Sequence, residues 1–236
     1  MDERCQRTHA KLLAGTCPWC GQPIIKGKPP AMTTTSAPTI AVPPPSGISL
    51  KELVTRDGPM DAKTAARHIE EVARQLEEIH SSGTLHRDIR PEHIFLDETG
   101  IARLAASPIS SLVEDTSSIL TEANEARVLS AADFLAPEAA LQSHSIDARA
   151  DIYSLGCTMY FLLTGRPPFP EGSISERLLK HQTATPDKIQ SLRPDVPVAL
   201  ISICETMMAK KPSERFQTAK EVADTIVAWR AENEVR

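Results

Sequence analysis

His86-Arg87-Asp88-Ile89-Arg90-Pro91-Glu92-His93-Ile94-Phe95-Leu96-Asp97 is the stretch that decides the reading of this chain. Its first half gathers ionisable side chains around one proline. Its second half, Ile94-Phe95-Leu96, is a short apolar run, and a comparable run, Ile101-Ala102-Arg103-Leu104, follows across Asp97-Glu98-Thr99-Gly100. Two such runs joined by a turn-forming tetrapeptide read as a small β-hairpin.

Outward from this loop the signal is helical. From Asp61 the apolar residues Ala62, Ala65, Ala66, Ile69, Val72, Ala73, Leu76 and Ile79 recur at three- and four-residue spacing, with Asp61 as N-cap and Gly83 beyond the end. Residues from about Ala148 to Thr164 are apolar on most sides, which predicts a central buried helix ended by Gly165 and Pro167-Pro168. Further helices are predicted around Ser173–Gln182, over about Pro197–Lys210, and over about Thr218–Glu232 with Val222, Ile226 and Trp229 on one face. The main domain, residues 48–236, is therefore mainly α. Before it come a Cys-bearing segment, 1–28, and a Pro/Ser/Thr-rich stretch, 29–47, which reads as a linker with polyproline II character.

Five short patterns then fall in one order. The 86–97 stretch resembles the protein-kinase catalytic loop, H-R-D-L-K-P-x-N-I-L-L-D, and Ala136-Pro137-Glu138 matches the A-P-E that closes a kinase activation segment. Asp147-Ala148-Arg149-Ala150-Asp151-Ile152-Tyr153-Ser154-Leu155-Gly156 is similar to D-x-R-x-D-I-Y-S-L-G. Gly165-Arg166-Pro167-Pro168-Phe169 and Pro212-Ser213-Glu214-Arg215-Phe216 follow where kinases carry their counterparts. Any one pattern is weak; five in order over residues 48–236 resemble the C-terminal lobe of a eukaryotic-type (bacterial Hanks-type) Ser/Thr protein kinase. The resemblance implies that Glu138 pairs with Arg215, that Asp151 holds the catalytic-loop backbone, and that Asp88, beside Arg87, occupies the catalytic base position with Arg90 in place of the catalytic lysine.

The same resemblance shows what has been replaced. The catalytic-loop Asn that holds Mg²⁺ in the family is His93, and the D-F-G position falls on Ala106-Ser107-Pro108, so Ala106 stands for the metal-binding Asp. A methyl group cannot coordinate a hard cation that wants oxygen. Ala131 takes the place of the Thr that bridges catalytic Asp and Lys. No G-x-G-x-x-G and no V-A-I-K-type lysine occurs, so the N-terminal lobe is expected to be absent, the kinase-like part starting near Gly47-Ile48-Ser49-Leu50-Lys51-Glu52-Leu53. The expectation is a degenerate, pseudokinase-like interaction module that binds ATP and Mg²⁺ poorly and meets a protein partner at its uncovered interlobe face. The alternative is a divergent or partial Ser/Thr kinase that transfers the ATP γ-phosphate. Ser and Thr residues between Pro108 and Ser130 are either targets for phosphorylation that pair with Arg87 or part of a disordered polar loop.

Cys17-Pro18-Trp19-Cys20-Gly21 is a knuckle-type C-x-x-C, and Cys5 and His9 lie upstream. Together the four could form a Cys₃His site for structural zinc. Spare thiols and a redox pair are the other readings, though the βαβ surroundings of a redox motif are missing. Cys157 and Cys204 sit on apolar helix faces and read as core.

Composition narrows the rest. The formal charge is −5, with 24% charged, 41% apolar and only 4% aromatic residues. No basic block or stacking platform points to nucleic acid. The longest apolar run, Leu155 to Leu163, falls short of the roughly 20 residues that span a bilayer, and MDERCQRTHAKLL lacks a signal-peptide core. The expected compartment is cytoplasmic.

Overall fold

The structure, a computed structural model, describes residues 15–16, 23–24, 47–105, 128–140 and 146–234. The chain divides into two compact units, Met1–Ile40 and Ala41–Arg236. Two short strands are described in the first unit, β1 (Gly15–Thr16) and β2 (Pro23–Ile24), paired antiparallel with Gly15 opposite Ile24 and Thr16 opposite Pro23. Cys5, His9, Cys17 and Cys20 lie outside the described residues, as does the 29–46 part of the Pro-rich stretch.

The second unit is mainly helical. It opens with β3 (Ile48–Ser49) running into α1 (Leu50–Asp57). Ser49 and Glu52 form a reciprocal capping box there, satisfying two backbone donors that the first turn leaves without a partner. α2 (Ala62–Ser81) starts on Asp61, whose carboxylate accepts from the Thr64 backbone N–H, and its buried face includes Ala65, Ala66, Ile69, Val72, Ala73 and Leu76. After the 86–93 loop come β4 (Ile94–Leu96) and β5 (Ala102–Leu104). The expected hairpin is therefore present, but as part of a three-stranded antiparallel sheet in the order β3-β4-β5, with Ile48 opposite Leu96 and Ile94 opposite Leu104. Two residues carry no readable alternation, so β3 left no periodic signal in the sequence.

The remaining elements are α3 (Pro137–Ala140), α4 (Ala148–Thr164), α5 (Ile174–Thr183), α6 (Ile189–Leu192), α7 (Val198–Met207) and α8 (Ala219–Glu234). α4 is the axis of the core: every residue from Ala150 to Leu163 is buried. It packs against α2 and α7, and α8 closes over α2. Each fully buried Leu or Met of this core contributes about 1.5–3 kcal/mol relative to exposure. α4 stops at Gly165, which takes the left-handed conformation (φ 77°) that lets its N–H reach the Phe161 carbonyl. No helix among the described residues is long and apolar enough to cross a membrane.

The α4–α7 contact depends on one missing side chain. A Cβ on Gly156 would lie 2.8 Å from Met207 Cβ and 2.9 Å from Met208 Cγ. Gly156→Val is expected to cost about 1–3 kcal/mol by overpacking, read as a lower midpoint in thermal unfolding. An unchanged or higher midpoint would show that α7 can slide away without loss.

Candidate functional site

The loop 86–93 leaves α2 and enters β4, and its shape is imposed from outside. Asp151, in the first turns of α4, turns its carboxylate into the loop. Its Oδ1 accepts the Arg87 backbone N–H at 2.7 Å, and its Oδ2 accepts the His86 N–H and His80 Nε2, each at 2.8 Å. A carboxylate near a helix N-terminus also sits well in the field of the helix dipole. Held this way, Arg87 takes φ 64°, the one positive φ among the described residues other than glycine. A left-handed arginine is costly, and it persists because the two anchored amides over-determine the turn.

His86 locks the other side of the loop. Its Nε2 donates to the Ala105 carbonyl at 2.8 Å, while its Nδ1 accepts the Asp88 N–H at 3.3 Å. Burial pushes this imidazole below its ordinary range, consistent with a neutral ring that donates on one side and accepts on the other.

Asp88 points back into its own loop. Arg90 Nε lies 3.0 Å from Oδ1, and His93 Nδ1 lies 3.1 Å from Oδ2 and 3.0 Å from the Asp88 carbonyl. Arg90 also reaches His93 Nε2 at 3.3 Å. Both carboxylate oxygens are thus engaged by neighbours within five residues. Burial opposes ionisation of Asp88, but the His93 ring hydrogen bond and the Arg90 charge outweigh it and hold the carboxyl below its ordinary range. The next turn, Pro91–His93, carries Glu92, which bridges Lys51 of α1 at 2.5 Å and the Ser130 hydroxyl.

Behind the loop, Arg215 and Glu138 join α3 to the segment before α8. The two guanidinium ends donate to Glu138 Oε1 and Oε2 at 2.7 and 2.9 Å. Asp133, just ahead of α3, pairs with Arg177 of α5 at 2.6 Å. Burial raises the Asp133 carboxyl above its ordinary range, and the Arg177 partner only offsets part of that.

The structure thus brings Arg87, Asp88, Arg90, His93 and Asp151 into one cluster and Glu138 and Arg215 into another. Ala131 belongs to a helical turn at 128–132, and Ala106 lies outside the described residues. Sequence reasoning quoted His86 without assigning it a role, and missed His80 and the Lys51–Glu92–Ser130 bridge. No local pattern could have flagged His80, whose partner is 71 residues away. Among the described residues no group of three or more His, Cys, Asp or Glu side chains is placed to hold a metal ion.

Comparison with known proteins gives the family. Residues 30–226 match the family described as "Protein kinase domain". Over 193 residues the chain is 36% identical to a probable serine/threonine-protein kinase, PknB, of Corynebacterium glutamicum, covering 80% of this chain and 29% of that protein. It is 33% identical over 192 residues to a probable serine/threonine-protein kinase of Corynebacterium efficiens, covering 80% and 29%. It is 32% identical over 181 residues to the serine/threonine-protein kinase PknB of Mycobacterium tuberculosis, covering 77% and 28%. The chain therefore spans less than a third of the length of the curated relatives it matches.

Proposed function

The chain belongs to the protein kinase family, and from that premise we propose that it works as a pseudokinase-like protein-interaction and regulatory module without a competent MgATP site. The observation that carries this reading is the closed ring of Asp88, Arg90 and His93. Mg²⁺ wants oxygen ligands in near-ideal octahedral geometry. At the position matched to the family's metal-binding Asn the chain offers an imidazole, and that ring spends its Nδ1 on Asp88 and takes Arg90 on its Nε2. Ala106, at the other matched metal position, has no side-chain oxygen to offer. The donor set does not fit the ion, so phosphoryl transfer through a bound Mg²⁺ has no footing at this loop.

On this reading the domain is a C-terminal lobe used for docking, and its partner is a protein that covers the interlobe face. The first unit is a zinc knuckle, with Cys5, His9, Cys17 and Cys20 as ligands. The pairing of Gly15–Thr16 with Pro23–Ile24 supports this, because it brackets the short stretch that carries Cys17 and Cys20.

A second reading, a Ser/Thr protein kinase that transfers the ATP γ-phosphate to protein, is favoured by the descriptions of the relatives, by the retention of Asp88, and by a positive charge, Arg90, at the lysine position. A thermal-shift titration with Mg²⁺ and ATP separates the two. A ligand at a hundred times its Kd adds about 2.7 kcal/mol to stability, so a working site would give a clear Mg²⁺-dependent rise in melting temperature. The expected result is no shift at millimolar MgATP. A shift, together with phosphotransfer that Asp88→Asn abolishes, would replace the module reading with the kinase one.

A further inference from the structure

Between the start of α2 and the end of α8 the surface forms a pocket of about 180 Å³, lined by Lys63, Thr64, Arg67, Arg230 and Asn233. None of these residues belongs to the Asp88 loop or to the ion pair behind it. The two helices pack against each other. The Lys63 ammonium is held at the pocket by its bond to the Asn233 carbonyl, 2.9 Å away. Asn233 donates one amide hydrogen to the Trp229 carbonyl at 2.7 Å, which leaves its other for a ligand. The pocket is smaller than the roughly 300–1,000 Å³ of sites for small organic molecules, so it suits a single polar group rather than a whole metabolite.

The charge of the lining has one sign. It holds three cationic side chains and, among the described residues, no carboxylate. The acidic groups nearby are engaged elsewhere. Asp61 caps α2 by accepting the Thr64 N–H at 3.0 Å. Glu70 takes Arg74 at 3.0 Å and Arg230 at 2.6 Å. Glu71 meets His68 at 3.1 Å and accepts the Ala102 N–H at 2.8 Å. Glu232 on α8 is exposed and outside the lining. Among the described residues Lys63 has no carboxylate partner, and the half-buried Arg67 side chain has neither a hydrogen bond nor an ion pair. Two cations without a counter-charge match a dianion. A phosphate monoester carries about −1.5 to −2 at neutral pH, and a guanidinium meets phosphate oxygens with two parallel N–H donors.

We propose that this pocket receives the phosphate of a phosphorylated serine or threonine side chain on a partner protein, with Arg67 and Lys63 meeting its oxygens. A membrane surface is met by broader clusters of about 4–8 basic side chains, and a nucleic acid by a row of phosphate contacts. This pocket offers three cations on a chain of net charge −5, which favours one phosphate on a peptide over either polyanion. The site is independent of the MgATP question, since it holds whether or not the domain transfers phosphate.

NMR titration of the full chain with a terminally blocked Gly-Ala-phosphoSer-Ala-Gly peptide, with its unphosphorylated form and with inorganic phosphate tests the proposal. The phosphopeptide is expected to give saturable shifts at the backbone amides of Lys63, Thr64, Arg67, Arg230 and Asn233, with a Kd of about 1 mM or below. The unphosphorylated peptide should bind at least about tenfold more weakly. Arg67→Gln should weaken the phosphopeptide at least about tenfold while leaving the thermal midpoint in place, since the guanidinium has no hydrogen bond or ion pair to lose among the described residues. Equal binding of the two peptides, no saturation up to about 10 mM, or undiminished binding by Arg67→Gln would each overturn it. So would inorganic phosphate binding as tightly as the phosphopeptide, which would assign the pocket to a free anion. Binding to phosphatidylserine vesicles that Arg67→Gln weakens, with none to the phosphopeptide, would overturn it in favour of a membrane surface. Should Arg67→Gln fail to fold, the comparison of the two peptides on the unaltered chain still decides.

Discussion

Arg215→Ala is expected to lower the unfolding free energy by about 3–5 kcal/mol, the range for removing one partner of a buried ion pair. The side chain is fully buried, and the planar guanidinium has five N–H donors. The structure gives it five acceptors: Glu138 Oε1 and Oε2, and the carbonyls of Ala209, Lys210 and Arg149. Its guanidinium carbon also lies over the Tyr153 ring, 4.8 Å from the centroid. Alanine would leave a largely buried carboxylate and the Ala209 and Lys210 carbonyls short of donors, while the Arg149 carbonyl keeps its place in the α4 ladder. Lysine would restore the charge but not the fork, so Arg215→Lys should recover only part of the loss.

Urea unfolding reads this as a lower midpoint at unchanged slope. The companion experiment is the double replacement Glu138→Leu with Arg215→Met. If the single losses come from stranded charge, the double variant should be more stable than their sum predicts, since no charge is left buried alone. Strict additivity would mean that Arg215 acts through its three carbonyl contacts rather than through Glu138.

Asp151→Asn carries the second large expectation. Asp151 is 2% exposed and accepts three hydrogen bonds, two of them from main-chain amides at the turn where Arg87 is left-handed. An amide has one acceptor oxygen, so its NH₂ group would face a backbone donor that has no alternative partner. Hydrogen bonds to a charged group contribute about 1.5–3 kcal/mol each, and a buried donor left unmet costs about 1–3 kcal/mol. The loss should therefore reach about 3–5 kcal/mol, with the strain at Arg87 released by rearrangement of the loop. The discriminating measurement is hydrogen exchange at the His86 and Arg87 amides. Both should lose protection in Asp151→Asn well beyond the general loss of stability; full protection of these two amides would show that the loop is held by something else.

Much of the helical framework was legible because its causes are local. Asp61 and Ser173 cap α2 and α5 through side-chain bonds three residues long, and Gly165 ends α4 because it alone takes positive φ there without strain. The run from Ala150 to Leu163 is apolar on most sides, which points to a place inside before any neighbour is known. The shortest elements, α3, α6 and β3, were not legible: a few residues cannot carry a period, and neighbours rather than propensity hold them.

The candidate site divides along the same line. The order of five motifs was enough to indicate the family, and the residue types at 93 and 106 were enough to question the metal site, since ligand chemistry follows from the side chain itself. What Asp88 does with its carboxylate was not contained in that order. Only the folded loop turns Arg90 and His93 onto its two oxygens. That loop in turn depends on Asp151, more than 60 residues away, and the lobe behind it on a pair 77 residues apart. Caps and periods act within one or two turns and are written in the sequence. Partners brought together by the path of the chain are chosen by packing, and only the tertiary structure decides them.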